Sequence, residues 1–399
     1  MRTRTAAALA CAFLAMVIGG PVADSARAAE TPPPASTPGQ VALDYGFRFA
    51  SAIDNDPKDR QKAQQAVVME YTRIGLTDEA TRLARKIEGW RKGVALADIA
   101  VLLAREGRED AARAALREAE AVRAETKGWE GPRVAAHVAQ AHAALGETSA
   151  SESITEDLIA NDALQYTGRS AATAATARAA RGDFQGAMQE LARYEGSKDR
   201  EIAWWRTAGY LGLAREERLG VDDRRKALEA ARRSADDLVA WKRSEALQEI
   251  AEEYRAQGAM AEAREALAAA SQDIEALPDT DAFKTALLAN TARTFAEFGD
   301  TERVPALLGQ AEAAVPEVLN LDRPAAYASI ASSWHAAGNA AETWRLYDLA
   351  LDAAEELRNP RPRALGLVAV CRSLGRSRIE PTPETRQRLD ELLSGLTGP

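Results

Sequence analysis

The side chains best equipped for chemistry are few. The chain has three histidines, His137, His142 and His335, and two cysteines, Cys11 and Cys371. His137 and His142 are five residues apart, which on a helix points them to different faces, and no cysteine or acidic set beside them completes a metal's ligands. His335 has no partnered base in the sequence, and one histidine alone is weak ground for general-base catalysis. Cys371 would need an exposed, electropositive site to act as a nucleophile or redox sensor. A buried small hydrophobe is the more ordinary fate of a free cysteine. Acid pairs such as Glu252-Glu253 and Asp222-Asp223 are what a chain with 60 acidic residues places on solvated helix faces. No phosphate-cradling glycine loop, Gly-x-Ser-x-Gly elbow or His-Glu-x-x-His helix occurs. These residues predict no catalytic set, no metal site and no cofactor, and so a protein that is not an enzyme.

Composition narrows the setting. Arg2 and Arg4, an apolar run from Ala6 to Gly20 and the triplet Ala26-Arg27-Ala28 read as a secretory signal peptide over residues 1–28, cleaved after about Ala28. Cys11 invites a lipoprotein reading, but apolar sequence continues past it through Phe13, Leu14 and Ile18, whereas lipid attachment would place the cysteine at the end of that run. Cleavage removes Arg2, Arg4, Arg27 and Asp24 and takes the net charge from −9 to −11. So acidic a chain argues against nucleic acid or an anionic membrane as partner. With only Cys371 left, no internal disulfide can form, and stability must come from buried apolar surface. Residues 29–42, rich in proline, read as a disordered leader. No later segment reaches the length of a membrane span.

From about Val41 onward, Ala, Leu, Glu and Arg recur at helical spacing, and the fold class is all-α. Glycines close successive apolar stretches at Gly75, Gly107, Gly146, Gly182, Gly220, Gly258, Gly299, Gly338 and Gly375, at intervals of 32 to 41 residues. Glycine suits a position where a helix stops in the left-handed conformation. Seven residues before the glycine the side chain is small (Ala100, Ala139, Ala175, Ala251, Ala292, Ala331, with Val68 and Val368). Four before it stand Tyr71, Leu103, His142, Arg178, Tyr254, Phe295, Trp334 and Cys371. Small residues let two helix axes approach, and one bulky residue per helix fills the space between repeats. That register assigns His142 and Cys371 to packing. Near Gly220 the helical register of Trp204, Ala208 and Leu211 puts the turn at Arg215, which implies a five-residue insertion. Aromatic residues at Trp90, Trp129, Tyr166, Trp204, Trp241 and Phe283, sixteen or seventeen before their glycines, are read as anchors between repeats.

This register resembles the tetratricopeptide repeat, with Gly182-Asp183-Phe184-Gln185-Gly186-Ala187 as its closest local match. The period exceeds the usual 34 of that family, and its repeat-ending proline is absent. The resemblance implies a right-handed α-solenoid of antiparallel helix pairs, about nine repeats over residues 43–397, ending in a C-terminal capping helix that covers the last apolar face. It also implies a concave groove lined by first helices. The residues placed there are Gln140, Arg169, Thr176, Gln248, Glu252, Arg255, Arg293, Ser332 and His335. Such a groove suits an extended peptide or a helix. The expected function is a protein- or peptide-binding scaffold of the cell envelope, periplasmic or secreted, with an elongated outline. A polysaccharide-cleaving enzyme built on a helical toroid is the competing reading, and a structural helper of polymer export is a third. The low aromatic content, 6%, and the lack of a distinctive acid argue against the enzyme.

Overall fold

The computed structural model describes residues 37–160, 164–197, 199–278 and 282–397. The expected signal peptide, and the leader up to residue 36, lie outside the described residues. Helix α1 (Gln40–Ser51) leads into antiparallel pairs: α2 (Pro57–Arg73) with α3 (Thr77–Ala84), α4 (Trp90–Arg105) with α5 (Glu109–Glu125), and α6 (Glu130–Ala144) with α7 (Thr148–Ala160). Next come α8 (Leu164–Ala180) with α9 (Phe184–Ala192), α10 (Arg200–Ala214) with α11 (Val221–Ala235), and α12 (Ala240–Ala256) with α13 (Met260–Glu275). The series ends with α14 (Ala282–Glu297) and α15 (Val304–Ala314), α16 (Arg323–Ala336) and α17 (Ala340–Glu355), then α18 (Pro360–Arg376) and α19 (Pro383–Thr397). No described helix is long and apolar enough to cross a membrane. The first helical residues, 40–42, belong to what the sequence suggested was leader.

The turn glycines work through one hydrogen bond. Gly75, Gly107, Gly146, Gly182, Gly258, Gly299 and Gly338 all have positive φ. The amide after each donates back to the carbonyl five residues earlier, at Tyr71, Leu103, His142, Arg178, Tyr254, Phe295 and Trp334. That bond satisfies a carbonyl the helix end would leave open. The position four before the glycine is therefore both the bulky packing site and the acceptor of the cap. Gly220 is different: α10 ends at Ala214 with Arg215 as its cap, and Gly220, at φ −62, precedes α11.

Gly375 also departs from the expected pattern. It lies inside α18, and the turn is made three residues later, where Arg378 takes φ 55 and Ile379 donates to the Leu374 carbonyl. Counted from Arg378, the bulky position is Leu374, and Cys371 moves to the small position seven before the turn. Cys371 is fully buried, and burial pushes its thiol up. A Cβ on Gly46 of α1 would lie 3.1 Å from the Cys371 Cβ, and one on Gly375 would lie 2.4 Å from Leu43 Cδ2. These two glycines serve a close approach of α1 to α18.

That approach corrects the free-ended array. Each even-numbered helix packs on the next, from α2 to α18, and α18 packs on α2, so these helices form a closed circuit. Each odd-numbered helix from α3 to α17 packs on the even-numbered helix before it and the one after it. For α18, that place is taken by α1, from the other end of the chain, which also packs on α2. The last apolar face is thus covered by α1, and α19 instead lies against α1, with Leu389, Leu392 and Leu393 buried. Polar bonds reinforce the seam. Glu70 of α2 is fully buried and accepts from Arg372 at 2.8 Å and Arg376 at 2.5 Å, both of α18. Arg361 reaches Asp56 at 2.8 Å, and Tyr71 donates to Asp44 of α1 at 2.5 Å.

Between neighbours the packing is close and alanine-rich: Ala251, Ala292 and Ala331 have no exposed surface. We expect Ala292→Leu to overpack the α14 interface and to cost roughly 1–3 kcal/mol. Urea unfolding monitored by circular dichroism measures this, and an unchanged midpoint would show that the small register does not control helix approach.

Candidate functional site

Four consecutive even-numbered helices bring together a polar cluster to which, among the described residues, no odd-numbered helix contributes a hydrogen bond. Asp98 of α4 lies 2.6 Å from Nδ1 of His137 on α6. Arg169 of α8 donates to Gln140 Oε1 at 2.9 Å and lies 3.4 Å from Asp98 and 3.0 Å from the same His137 nitrogen. Its guanidinium sits over the ring of Trp205 on α10, 4.8 Å from the centroid. Close packing lets these short reaches meet: a Cβ on Gly168 would lie 3.1 Å from the Ile202 backbone of α10. His137 is 7% exposed. Burial pushes its imidazole below the ordinary value, against the pull of Asp98 and with the help of the Arg169 and Arg133 charges. The neutral ring donates Nδ1–H to the Asp98 carboxylate, so His137 has the acidic partner that the sequence did not offer it.

Two regularities in the sequence could have exposed this cluster. Asp98 and His137 each stand nine residues before a turn glycine, Gly107 and Gly146, and Arg133 and Arg169 each stand thirteen before Gly146 and Gly182. Equal register on adjacent packed helices means adjacency in space. His142 belongs elsewhere: it is buried, with its ring nitrogens 2.7 Å from Glu147 and 3.0 Å from Glu120 of α5, so the two histidines do occupy different faces.

The remaining groove residues divide. Gln140 joins the cluster. Thr176, half-buried on α8, bonds its own Ala172 carbonyl and faces Gly212 of α10. Glu252 is half-buried; burial and the nearby Glu297 charge raise its carboxyl above the usual range, and Arg293 opposes them. Arg293 itself lies 3.8 Å from Glu297, and its Nε is buried without a hydrogen-bond partner. Arg255 is exposed, over the Phe298 ring, and His335 is exposed at the end of α16.

Gln248 and Ser332 are not groove residues. Gln248 is 6% exposed and donates to Thr291 at 2.9 Å, between α12 and α14. Ser332 is 8% exposed and pairs with Ser377 at 2.7 Å. A buried amide or hydroxyl needs such a partner, and each interface supplies one. The sequence pattern placed them by distance from the turn, but closure and interhelix packing set which face is covered.

The aromatic residues at helix starts behave as anchors between neighbours. Trp90 meets Trp129 edge-on, with centroids 5.9 Å apart, and Trp241 stacks on Phe283 at 4.6 Å. Lys242 lies over both Trp204 and Trp241, 5.5 Å from each centroid. The side chain of Tyr166 lies outside the described residues. Trp129 nevertheless remains 60% exposed, and Arg91 and Arg133 both lie over Trp90, at 4.3 and 5.3 Å.

No family model matches the chain, and no curated protein matches it. Among solved structures it is similar to a protein described as a circular tandem repeat protein with novel repeat topology and enhanced subunit contact surfaces. The two share 15% identity and a TM-score of 0.26, over 90% of this chain and 96% of that one. So low a score carries no argument here. The all-helical, paired architecture rests on the helices and contacts described above.

Proposed function

We propose that the chain is an exported, non-enzymatic scaffold of the cell envelope, periplasmic or secreted, that binds a protein or peptide along the wall formed by its even-numbered helices. In this reading the helix pairs form a right-handed, tetratricopeptide-like stack of about nine repeats, the number of regularly spaced glycines. The supporting observation is a set of half-buried side chains six residues before five of the turns, Met69, Gln140, Thr176, Glu252 and Arg293, interrupted at Gly107 and Gly338 by the buried Val101 and Ser332. Such a ladder offers donors, acceptors and both charges at repeated intervals, which suits the backbone and side chains of an extended polypeptide. Nucleic acid remains a poor partner for so acidic a chain.

The test is affinity capture from the native envelope fraction with the mature chain as bait, followed by titration of the captured polypeptide. Joint substitution Glu252→Gln and Arg293→Ala is expected to weaken binding roughly tenfold, the size of one or two lost polar contacts. Arg264→Ala, on the exposed face of α13, should leave it unchanged. Capture that is indifferent to the first pair would remove the ladder from the reading.

The Asp98–His137 pair favours a second reading, an enzyme on a closed helical ring, because an oriented neutral imidazole can serve as a general base. Turnover of an envelope polymer that is lost in His137→Gln while binding persists would establish it over the scaffold.

A further inference from the structure

We propose that the cleft around Trp90 and Trp129 is a binding site for an acidic saccharide, separate from the ladder that carries the polypeptide reading. The cleft opens where the starts of α2, α4 and α6 meet the end of α5, and both indoles line it with Lys58, Lys92 and Lys127. Trp129 leaves most of its surface to solvent although it packs edge-on against Trp90. An exposed indole held by a second indole is a rigid flat platform, and the C–H face of a pyranose ring is a natural complement to it.

The charge around the platform runs against that of the chain. Glu88, Glu125 and Glu130 line the cleft opposite the three lysines, and Glu88 is already paired with Arg60 at 3.0 Å. Arg91 and Arg133 add two guanidiniums over Trp90. Arg91 donates to Gln65 at 2.9 Å and keeps a buried Nε without a partner; burial and the Arg133 charge disfavour its guanidinium, and Asp59 and Glu130 offset this only in part. A protein with net charge −9 thus gathers an excess of cations around an open aromatic platform. Repulsion between two neighbouring guanidiniums is relieved by an anion placed between them. A uronate ring meets both requirements, with its apolar face on Trp129 and its carboxylate toward Arg133 and Lys127. An acidic peptide shares the charge but lacks the saturated ring face, so the platform favours the sugar.

The test titrates the mature chain with hexameric oligogalacturonate and follows tryptophan fluorescence. We expect saturable binding that weakens with added salt. Full methyl esterification of the sugar, Trp129→Ala and Arg133→Gln should each reduce affinity by about tenfold, in line with one desolvated cation–π or charge-assisted contact. Because Trp129 and Arg133 are exposed, both variants should keep the thermal midpoint of the parent chain. No saturable binding, equal affinity for the esterified sugar, or indifference to Trp129→Ala would overturn the proposal. Binding of hexaglutamate as tight as that of the uronate would overturn it too, and would reassign the cleft to acidic peptides. Loss of these effects leaves the polypeptide reading intact, because that reading is tested at Glu252 and Arg293.

Discussion

Removal of residues 37–51 is expected to abolish the cooperative unfolding of the remaining chain. Helix α1 occupies the place of an odd-numbered helix for α18, and its deletion uncovers the fully buried Cys371, which faces Gly46, and the surface at Gly375, which faces Leu43. The helix also withdraws Leu43, Tyr45, Phe47 and Phe49, each less than a tenth exposed. At roughly 1.5–3 kcal/mol for each large apolar side chain buried, these four account for about 6–12 kcal/mol. That is comparable with the entire net stability of an ordinary domain, about 5–15 kcal/mol. The loss also removes the surface on which α19 packs. Thermal melts of residues 37–399 and 52–399, followed by circular dichroism and by size-exclusion chromatography, decide the matter. The shorter chain should melt without a sharp transition or associate through its exposed seam. If the two chains melt alike as monomers, then α1 does not close the circuit in any energetic sense.

The second large effect falls on Glu70. Burial alone would raise its carboxyl, but the Arg376 hydrogen bond and the charges of Arg376, Arg372 and Arg73 outweigh burial and hold it at about 2. The folded value is below the unfolded one, about 4.5, so this stabilisation is fully present above pH 4.5 and is lost as pH falls toward 2. The shift corresponds to about 3 kcal/mol, an order-of-magnitude figure. Glu70→Ala leaves three arginines facing a vacated buried site and should cost roughly 3–5 kcal/mol at neutral pH, the range for breaking a buried ion pair. Urea denaturation between pH 7 and pH 2 tests both statements. The parent chain should lose about 3 kcal/mol more than Glu70→Gln over the acidic part of that range. Parallel pH dependence in the two proteins would mean that the clasp between α2 and α18 carries little of the stability.

Much of the local structure is legible in the residues alone. The turn glycines, the small position seven before them and the insertion between Arg215 and Gly220 all follow from backbone rules that act within one helix or one turn. A positive φ favours glycine wherever it occurs, and a helix axis approaches another only where side chains are small. The separation of His137 from His142 is equally local, since five residues of helix point them apart. The same counting places Asp98 beside His137, each nine residues before its turn glycine, because equal register on adjacent helices brings side chains within reach.

Closure lies beyond such counting. Nothing in residues 40–51 distinguishes a leading helix from the missing partner of α18, since complementarity between Gly46 and Cys371, or Gly375 and Leu43, exists only once the ends meet. Gly375 fitted the turn series in spacing, yet its lack of a side chain is used for close approach, and Arg378 makes the turn. Glu70 looks like one acid among 60 until α18 brings Arg372 and Arg376 against it. The sequence by itself determined an all-helical chain with a recurrent turn. Tertiary structure alone decided that the circuit closes and which polar groups are buried, because burial and charge pairing are properties of surfaces that the folded chain brings together.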